Sequence, residues 1–509
     1  MNKRSCQILV GAALGAQLIA PCLRADVKLP AIFSDHMVLQ QETAVPVWGW
    51  AEPGEEVSVT VAGQTQTARA NADGKWEVKL SKIAPTAEPQ TLTVKGRNTL
   101  TVHDILVGEV WLASGQSNME FTVSRGLNAD QEKAAANFPQ IRMFTVAANP
   151  QRTPQVDCRG TWKVCTPENV GAFSAVAYFF GRDLHQKLGV PVGLVHSSVG
   201  GTDIAAWTSE DVQVKIPELK AQFESWAQRD ASYDPVAVKA EQDKQLAAWQ
   251  QAADKAREAG KPAPAKPRAT RRPGADPNYP ANLYNGMIAP LIPFAVHGVI
   301  WYQGEHNTAT DETALLYRQQ LPLLIEDWRA RWGSQLPFAW VQLPGLEKTG
   351  DGRPLVREAM LQSLKVPRTG MAVTVDVGEP NNNHPLNKQE VGHRLALWAL
   401  GAVYDQKVPA TSGPLPAGFE VKGGEVILKF SHTEGGLIAQ GGELKGFVIA
   451  GADKKWINAN ARIEGDRVIV SHPDVKQPVA ARYSWAWNPD GNLFNGAGLP
   501  ASPFRTDDQ

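Results

Sequence analysis

Cysteine is scarce in this sequence, four in 509 residues, and no cluster of Cys and His has the spacing of a structural zinc site. Neither sign of charge is in excess: 51 basic residues stand against 52 acidic ones, for a net charge of −1. That balance leaves no electrostatic footprint for nucleic acid or an anionic membrane surface. Long apolar runs are missing too. The stretch Ile8 to Ala20 is too short to span a bilayer, and no later segment is apolar enough to do so.

The same stretch follows Lys3 and Arg4 and ends in Pro21-Cys22-Leu23-Arg24-Ala25. This order of charge, apolar run and small residue predicts a secretory signal peptide over 1–25, cut after Ala25. The mature chain is then expected to be periplasmic or extracellular. Cys22 raises a lipoprotein alternative, which Pro21 fits poorly. Cleavage removes Cys6 and Cys22 and leaves Cys158 and Cys165. Export permits a disulfide between them, which is the expectation. Two unpaired buried thiols are the alternative.

The length implies two to four domains. Residues 26–105 read as an all-β sandwich. Val57, Val59 and Val61 alternate with polar residues, as do Trp76, Val78 and Leu80, and Asp73-Gly74 between them is a hairpin signal. Residues 106–405 alternate strand and helix, the mark of a mainly parallel sheet. An insertion at 235–279 interrupts them, first a helix rich in Ala, Lys and Gln, then a basic, Pro-rich exposed loop carrying Arg271-Arg272. Residues 406–509 return to short strands between glycine turns. Sixteen tryptophans suit both core packing and sugar stacking.

Three polar motifs fall just past apolar runs that read as strands. Val110 to Ala113 ends at Gly115-Gln116-Ser117, Val192 to His196 ends at Ser198-Val199-Gly200-Gly201-Thr202, and Val296 to Tyr302 ends at Gln303-Gly304-Glu305. Strand carboxyl ends are where open α/β sheets carry their sites, so the three motifs predict one shared crevice. A bare Gly-x-Ser is usually an ordinary turn, and serine is a weak nucleophile without a base in reach. His384, in His384-Pro385-Leu386-Asn387-Lys388, is the candidate base, since an imidazole takes and returns a proton near neutral pH. His196, His306 and His393 have no comparable context.

Taken together, Gly115-Gln116-Ser117-Asn118-Met119, Ser198 to Thr202, Trp301-Tyr302-Gln303-Gly304-Glu305 and His384 to Lys388 resemble the SGNH hydrolases, in the branch of sialate O-acetylesterases and related carbohydrate acetylesterases. The resemblance runs from about Val27 to Asp508. It implies a three-layer α/β/α catalytic domain of the flavodoxin-like kind, flanked by small all-β domains. It implies hydrolysis of O-acetyl groups from carbohydrate, sialic acid first, through an acetyl-enzyme on Ser117 and without a cofactor or metal. An acetylesterase on xylan, pectin or another glycan is the alternative, and a catalytically weakened sugar-binding protein is the rival class. An acetylated carbohydrate is the expected partner, no nucleic acid and no membrane span are expected, and the sequence leaves the oligomeric state open.

The resemblance also implies an oxyanion hole made by the Ser117 N–H, a glycine N–H from Gly200 or Gly201, and a side-chain amide, Gln303, with Asn307 in reserve. One departure stands out. The family's aspartate three residues before the histidine is Asn381 here. Glu305, Asp376 and Glu379 are the candidate acids to support His384 in its place.

Overall fold

The computed structural model describes residues 26–507. The expected signal peptide, with Cys6 and Cys22, lies outside the described residues.

The organising element is one strand, Thr99–Gly115. Its first half is antiparallel to Thr86–Lys95, and Leu106 to Gly108 run parallel to Val38–Gln40. Its second half lies at the centre of a parallel sheet, between Gly298–Tyr302 and Val192–Ser198. Beyond these come Phe338–Val341 and Thr369–Ala372 on one side, and Phe138–Thr145 then Trp162–Cys165 on the other. Only the Phe138–Thr145/Trp162–Cys165 pair in this path is antiparallel. The change from β to α/β organisation expected near 105 thus falls inside a single continuous strand.

Near the site this strand is buried on both faces, and the two tryptophans beside the centre show what covers each. Trp111 packs on Phe180 and Trp398, from the helices Ala175–Leu188 and Lys388–Trp398. Trp301 lies opposite Ser114 in the register. Ser114 is three residues from Trp111, an odd step, so Trp301 faces the other way. It packs on Trp328 of the helix Asp311–Trp332. Helices therefore cover both faces, and the molecule is a mixed α/β protein with a large central sheet. All five tryptophans among the largest fully buried side chains (111, 207, 301, 328 and 340) belong to this core. Packing is therefore an established use of the aromatic content.

The amino-terminal β part departs from the expected hairpin. Asp73-Gly74 does not join the Val57 and Trp76 runs as partners. Glu56–Val61 turns back at Ala62-Gly63, both at positive φ, and pairs with Gln64–Arg69. Lys75–Leu80 pairs instead with Val45–Trp50. Gln64–Arg69 was missed because it is an exposed, polar strand, without the alternation that marks a half-buried one.

Carboxy-terminal strands form two four-stranded sheets, Leu415–Lys422/Glu425–Ser431/Arg467–Ser471/Asn460–Glu464 and Ile457–Asn458/Phe447–Ala450/Ala480–Tyr483/Phe504–Arg505. They share a second core around Val426, Val468, Ile449 and Tyr483. This unit is bonded to the central one through buried groups. Arg357 donates to the carbonyls of Ala486 and Trp487, and Gln342 Nε2 to Ser502 Oγ at 2.9 Å.

The insertion contains the helix Pro235–Glu258, capped by Asp234, with only Ala253 buried. Cys158 and Cys165 are both buried free thiols, which corrects the disulfide expectation. Burial is the main reason that each is pushed up to about 12. No helix among the described residues is long and apolar enough to cross a membrane.

Candidate active site

Gly115 ends the central strand at φ +140°, and a Cβ there would sit 2.1 Å from the Tyr302 carbonyl oxygen. Glycine is obligatory at that crossing. The chain then turns through extended Gln116 into a single helical turn, Ser117–Glu120. Gln116 Oε1 accepts from the N–H groups of Gly304 and His306, at 3.5 and 3.4 Å, and so ties the first motif to the third. Ser117 is thereby lifted beyond the sheet edge, half-buried.

His384 arrives from the loop before the helix Lys388–Trp398. Its Nε2 accepts from Ser117 Oγ at 2.8 Å. Residues 267 positions apart thus form the hydroxyl–imidazole contact that activates a serine. Burial lowers the pKa of His384 below 6.5. The charge of Glu305 opposes that shift, and those of Lys388 and Arg125 add to it. The ring is therefore neutral, and able to accept a proton, at neutral pH.

The candidate acids separate cleanly. Asp376 is held by Arg394 through two bonds of 2.6 Å and is not available to His384. Glu379 binds its own loop: one oxygen accepts from Asn382 Nδ2 at 2.9 Å, the other from the Leu386 N–H at 2.6 Å. Both leave the list of direct partners for the imidazole. Glu305 remains. It is buried, one oxygen accepts from Asn118 Nδ2, and the other has no hydrogen-bond partner. It acts on His384 through its field, and nothing among the described residues hydrogen-bonds His384 Nδ1. Asn381 is exposed.

Asn118 is the hub that sequence reasoning missed. It donates to Glu305 and to the Asn383 carbonyl at 2.9 Å, and its Oδ1 accepts from Lys388 Nζ at 2.5 Å. Arg353 holds the Asn383 side chain at 2.7 Å. Lys388 is fully buried between the rings of Phe121 and Tyr302. Burial pulls its ammonium down to about 7, against the opposing charges of Glu305 and Glu379. Asn118 and Lys388 both lie inside the quoted motifs, but their pairing across 270 residues left no local signal.

The expected oxyanion hole is only partly assembled. The Ser117 N–H makes no protein hydrogen bond among the described residues. Gly200 is the glycine beside it, since a Cβ at Gly200 would lie 3.2 Å from Ser117 Cβ. The Gly200 N–H donates to the exposed carboxylate of Glu120 at 2.9 Å. Gly201, at φ +72°, has open space around it. Gln303 is corrected. Its amide N–H groups are spent on the Thr202 carbonyl and Asn307 Oδ1, at 2.9 and 2.7 Å, so it braces the loops. Asn307 is buried in the same bracing and points its oxygen at Gln303 and the Ile204 N–H.

The remaining histidines have other partners. His196 is buried against Ser198 at 2.5 Å, and burial lowers it to about 4. His393 pairs with Asp183 at 2.7 Å. His306 lines an open cleft of about 770 Å³ with Asp203, Trp226 and Asn278. Asn278 donates to the Gly201 carbonyl at 3.0 Å, so this cleft shares a wall with the reaction centre. Arg272 is bonded to Asp230 at 2.9 and 3.0 Å and is not a free basic group.

Comparison with known proteins places the chain in a family. Residues 107–247 and 274–400 match the family described as carbohydrate esterase, sialic acid-specific acetylesterase. The gap between the two segments lies within the insertion. The human sialate O-acetylesterase is 31% identical over 94% of this chain and 92% of its own length, and the mouse enzyme 30% over 94% of each. A crystal structure of a novel carbohydrate acetylesterase from Xanthomonas citri superposes with a TM-score of 0.80, at 38% identity, covering 95% of this chain and all of that one. The protein is a carboxylic ester hydrolase. It belongs to the family of sialic acid-specific acetylesterases among the carbohydrate esterases.

Proposed function

We propose that this chain is an exported serine esterase of the SGNH type that removes O-acetyl groups from carbohydrate, sialic acid foremost, through an acetyl-enzyme. The observation that carries the serine mechanism is the 2.8 Å contact between Ser117 Oγ and His384 Nε2. Ser117 Oγ attacks the acetyl carbon and His384 takes its proton. The carbonyl oxygen becomes an oxyanion that accepts from the Ser117 N–H and, once Glu120 releases it, from the Gly200 N–H. The carboxylate oxygen of Glu120 on the Gly200 N–H, at 2.9 Å, supports that reading. As the bond between the acetyl carbon and the sugar oxygen breaks, the imidazolium gives its proton to that oxygen, and the sugar leaves as an alcohol. Water, deprotonated by His384, then attacks the acetyl-serine; the bond to Ser117 Oγ breaks, His384 returns the proton to that oxygen, and acetate leaves.

The family relatives favour sialic acid as the substrate. The acid-rich cleft, with Asp203, Glu218 and Glu312 around Trp226, favours a second reading, an acetylesterase on neutral glycans. Acetate release from O-acetylated sialic acids and from acetylated xylan and pectin separates the two. No release from any of them, with sugar binding retained, overturns the enzyme mechanism in favour of a binding protein. A serine-directed organophosphorus probe is expected to label Ser117, and labelling elsewhere refutes the nucleophile. The export reading expects a mature chain beginning at Asp26 in an intact-mass spectrum, and a retained terminus refutes it.

A further inference from the structure

The two sides of the reaction centre differ in charge. On the Gly200–Gly201 side lies the cleft with Asp203, Glu218 and Glu312, and its one arginine, Arg229, lies over the Trp226 ring with the guanidinium carbon 3.7 Å from the centroid. A substrate carboxylate placed there would meet three acidic side chains. On the His384 side stands Arg125, at the end of the turn Val123–Arg125. Its guanidinium carbon is 4.5 Å from the centroid of Phe121. Phe121 is buried and in turn lies nearly parallel to the His384 ring, at 22° and 6.5 Å.

Arg125 is exposed, and its side chain makes no ion pair or hydrogen bond among the described residues. The other cations near the centre are already engaged. Lys388 binds Asn118, and Arg353 binds Asn383 and the Pro344 carbonyl at 2.6 Å. Arg125 is also close enough to the base for its charge to help lower the pKa of His384. A guanidinium over an aromatic face, with no hydrogen-bond partner, has its N–H groups free, and their fork matches a planar carboxylate in a bidentate pair.

We propose that Arg125 is a specificity-determining residue that binds the carboxylate of an acidic sugar, while the rest of the glycan extends toward the cleft at His306. This inference rests on the acetylesterase reading and names which end of the substrate faces which lip. It makes the enzyme selective for the free acid over the carboxyl methyl ester of the same O-acetylated sugar.

The test compares those two substrates with wild type, Arg125→Gln and Arg125→Lys. Wild type is expected to prefer the free acid by roughly tenfold in kcat/KM, chiefly through KM. Arg125→Gln is expected to abolish the preference while leaving the methyl ester within about twofold, and Arg125→Lys to restore part of it as a point charge. Arg125→Gln also removes a positive charge near His384, so the acid limb of the pH profile should move upward with both substrates. If wild type takes sialates without distinguishing acid from ester, or Arg125→Gln lowers both equally, the inference fails while the esterase reading stands. If wild type acts only on neutral glycans, the sialate reading fails and this inference with it.

Discussion

Two buried carboxylates, one within the central strand and one beyond the end of its neighbour Gly298–Tyr302, are treated in opposite ways. Glu109, near the start of its parallel half, is saturated. It accepts from His297 at 2.7 Å, Tyr404 at 2.8 Å, Gln40 at 3.2 Å and Gln41 at 2.7 Å. Burial raises its pKa, but the bond and charge of His297 and the bonds from Tyr404 and Gln40 outweigh burial, so the net shift is downward. Glu305, beyond the carboxyl ends of the strands, has one oxygen on Asn118 and one with no partner. A fully bonded carboxylate has spent its field on holding neighbours together. A half-bonded one in a low-dielectric setting still projects charge onto whatever titrates nearby, and here that is His384. Position on the sheet decides between the two roles: one end is sealed by the amino-terminal β part, the other opens on the site.

Replacing the serine sharpens this contrast most. Ser117→Ala is expected to lower acetate release by at least roughly 10³-fold, since the hydroxyl is the attacking group in the proposed mechanism. Its melting temperature should stay near that of wild type, because the half-buried hydroxyl serves the site and not the core. An active alanine variant would refute the nucleophile.

Glu305→Gln tests the half-bonded carboxylate. The shape is kept and the charge removed. We expect kcat to fall by roughly 10- to 100-fold, as about 1–3 kcal/mol of imidazolium stabilisation is lost. The sign of the pH effect follows from the same charge. Glu305 raises the pKa of His384, so its loss should move the acid limb further below 6.5. The enzyme would then be slower at neutral pH but keep its base neutral to lower pH. A silent Glu305→Gln would leave the dyad supported by neutral groups alone.

Glu109→Gln should do the reverse. Its partners lose a charge-assisted acceptor in a dry setting, which costs about 1–3 kcal/mol of stability. Chemical denaturation measures that loss, and kcat should stay within about twofold of wild type. A large loss of kcat without a loss of stability would erase the distinction between the two carboxylates.

How far the sequence carried the reading follows the same divide. Ser117, His384 and the strand ends that present them were legible, because apolar runs and the motifs beside them are local. The mixed α/β core was legible for the same reason. The tasks of Gln303, Asp376 and Glu379 were not. Gln303 and Asp376 are set by bonds to residues brought near by folding, Thr202 and Arg394, and Glu379 by the turn of its own loop onto Asn382 and Leu386, which its neighbours in sequence do not announce. Asn118 and Lys388 were visible as motif letters, yet their hydrogen bond spans 270 residues. The exposed strand Gln64–Arg69 escaped because its partner, not its own composition, makes it a strand.

The smallest effect is expected where the sequence departs most plainly from the family pattern. Asn381 stands where the resemblance places an aspartate, so restoring the acid looks like the obvious repair. The local geometry argues otherwise. Asn382 folds back on Glu379, its N–H donating to the Glu379 carbonyl at 3.0 Å and its Nδ2 to the carboxylate at 2.9 Å. Its own Oδ1 accepts from the His384 N–H at 3.0 Å, and Asn383 is pinned by Asn118 and Arg353. These bonds fix the histidine from the far side and leave the side chain at 381 in solvent. A carboxylate there is screened by water and pays side-chain entropy to reach the ring, so an exposed charge pair of about 0–1 kcal/mol is the most it can offer. Asn381→Asp is therefore expected to change kcat by less than about threefold, in the upward direction, with the acid limb nearly unmoved. A rise of tenfold or more would mean that the loop yields and the new acid reaches Nδ1. Combining it with Glu305→Gln separates the cases: if Asp at 381 rescues the double variant to wild-type rate, the two carboxylates are interchangeable, and the field of Glu305 is a substitute for a direct bond and nothing more.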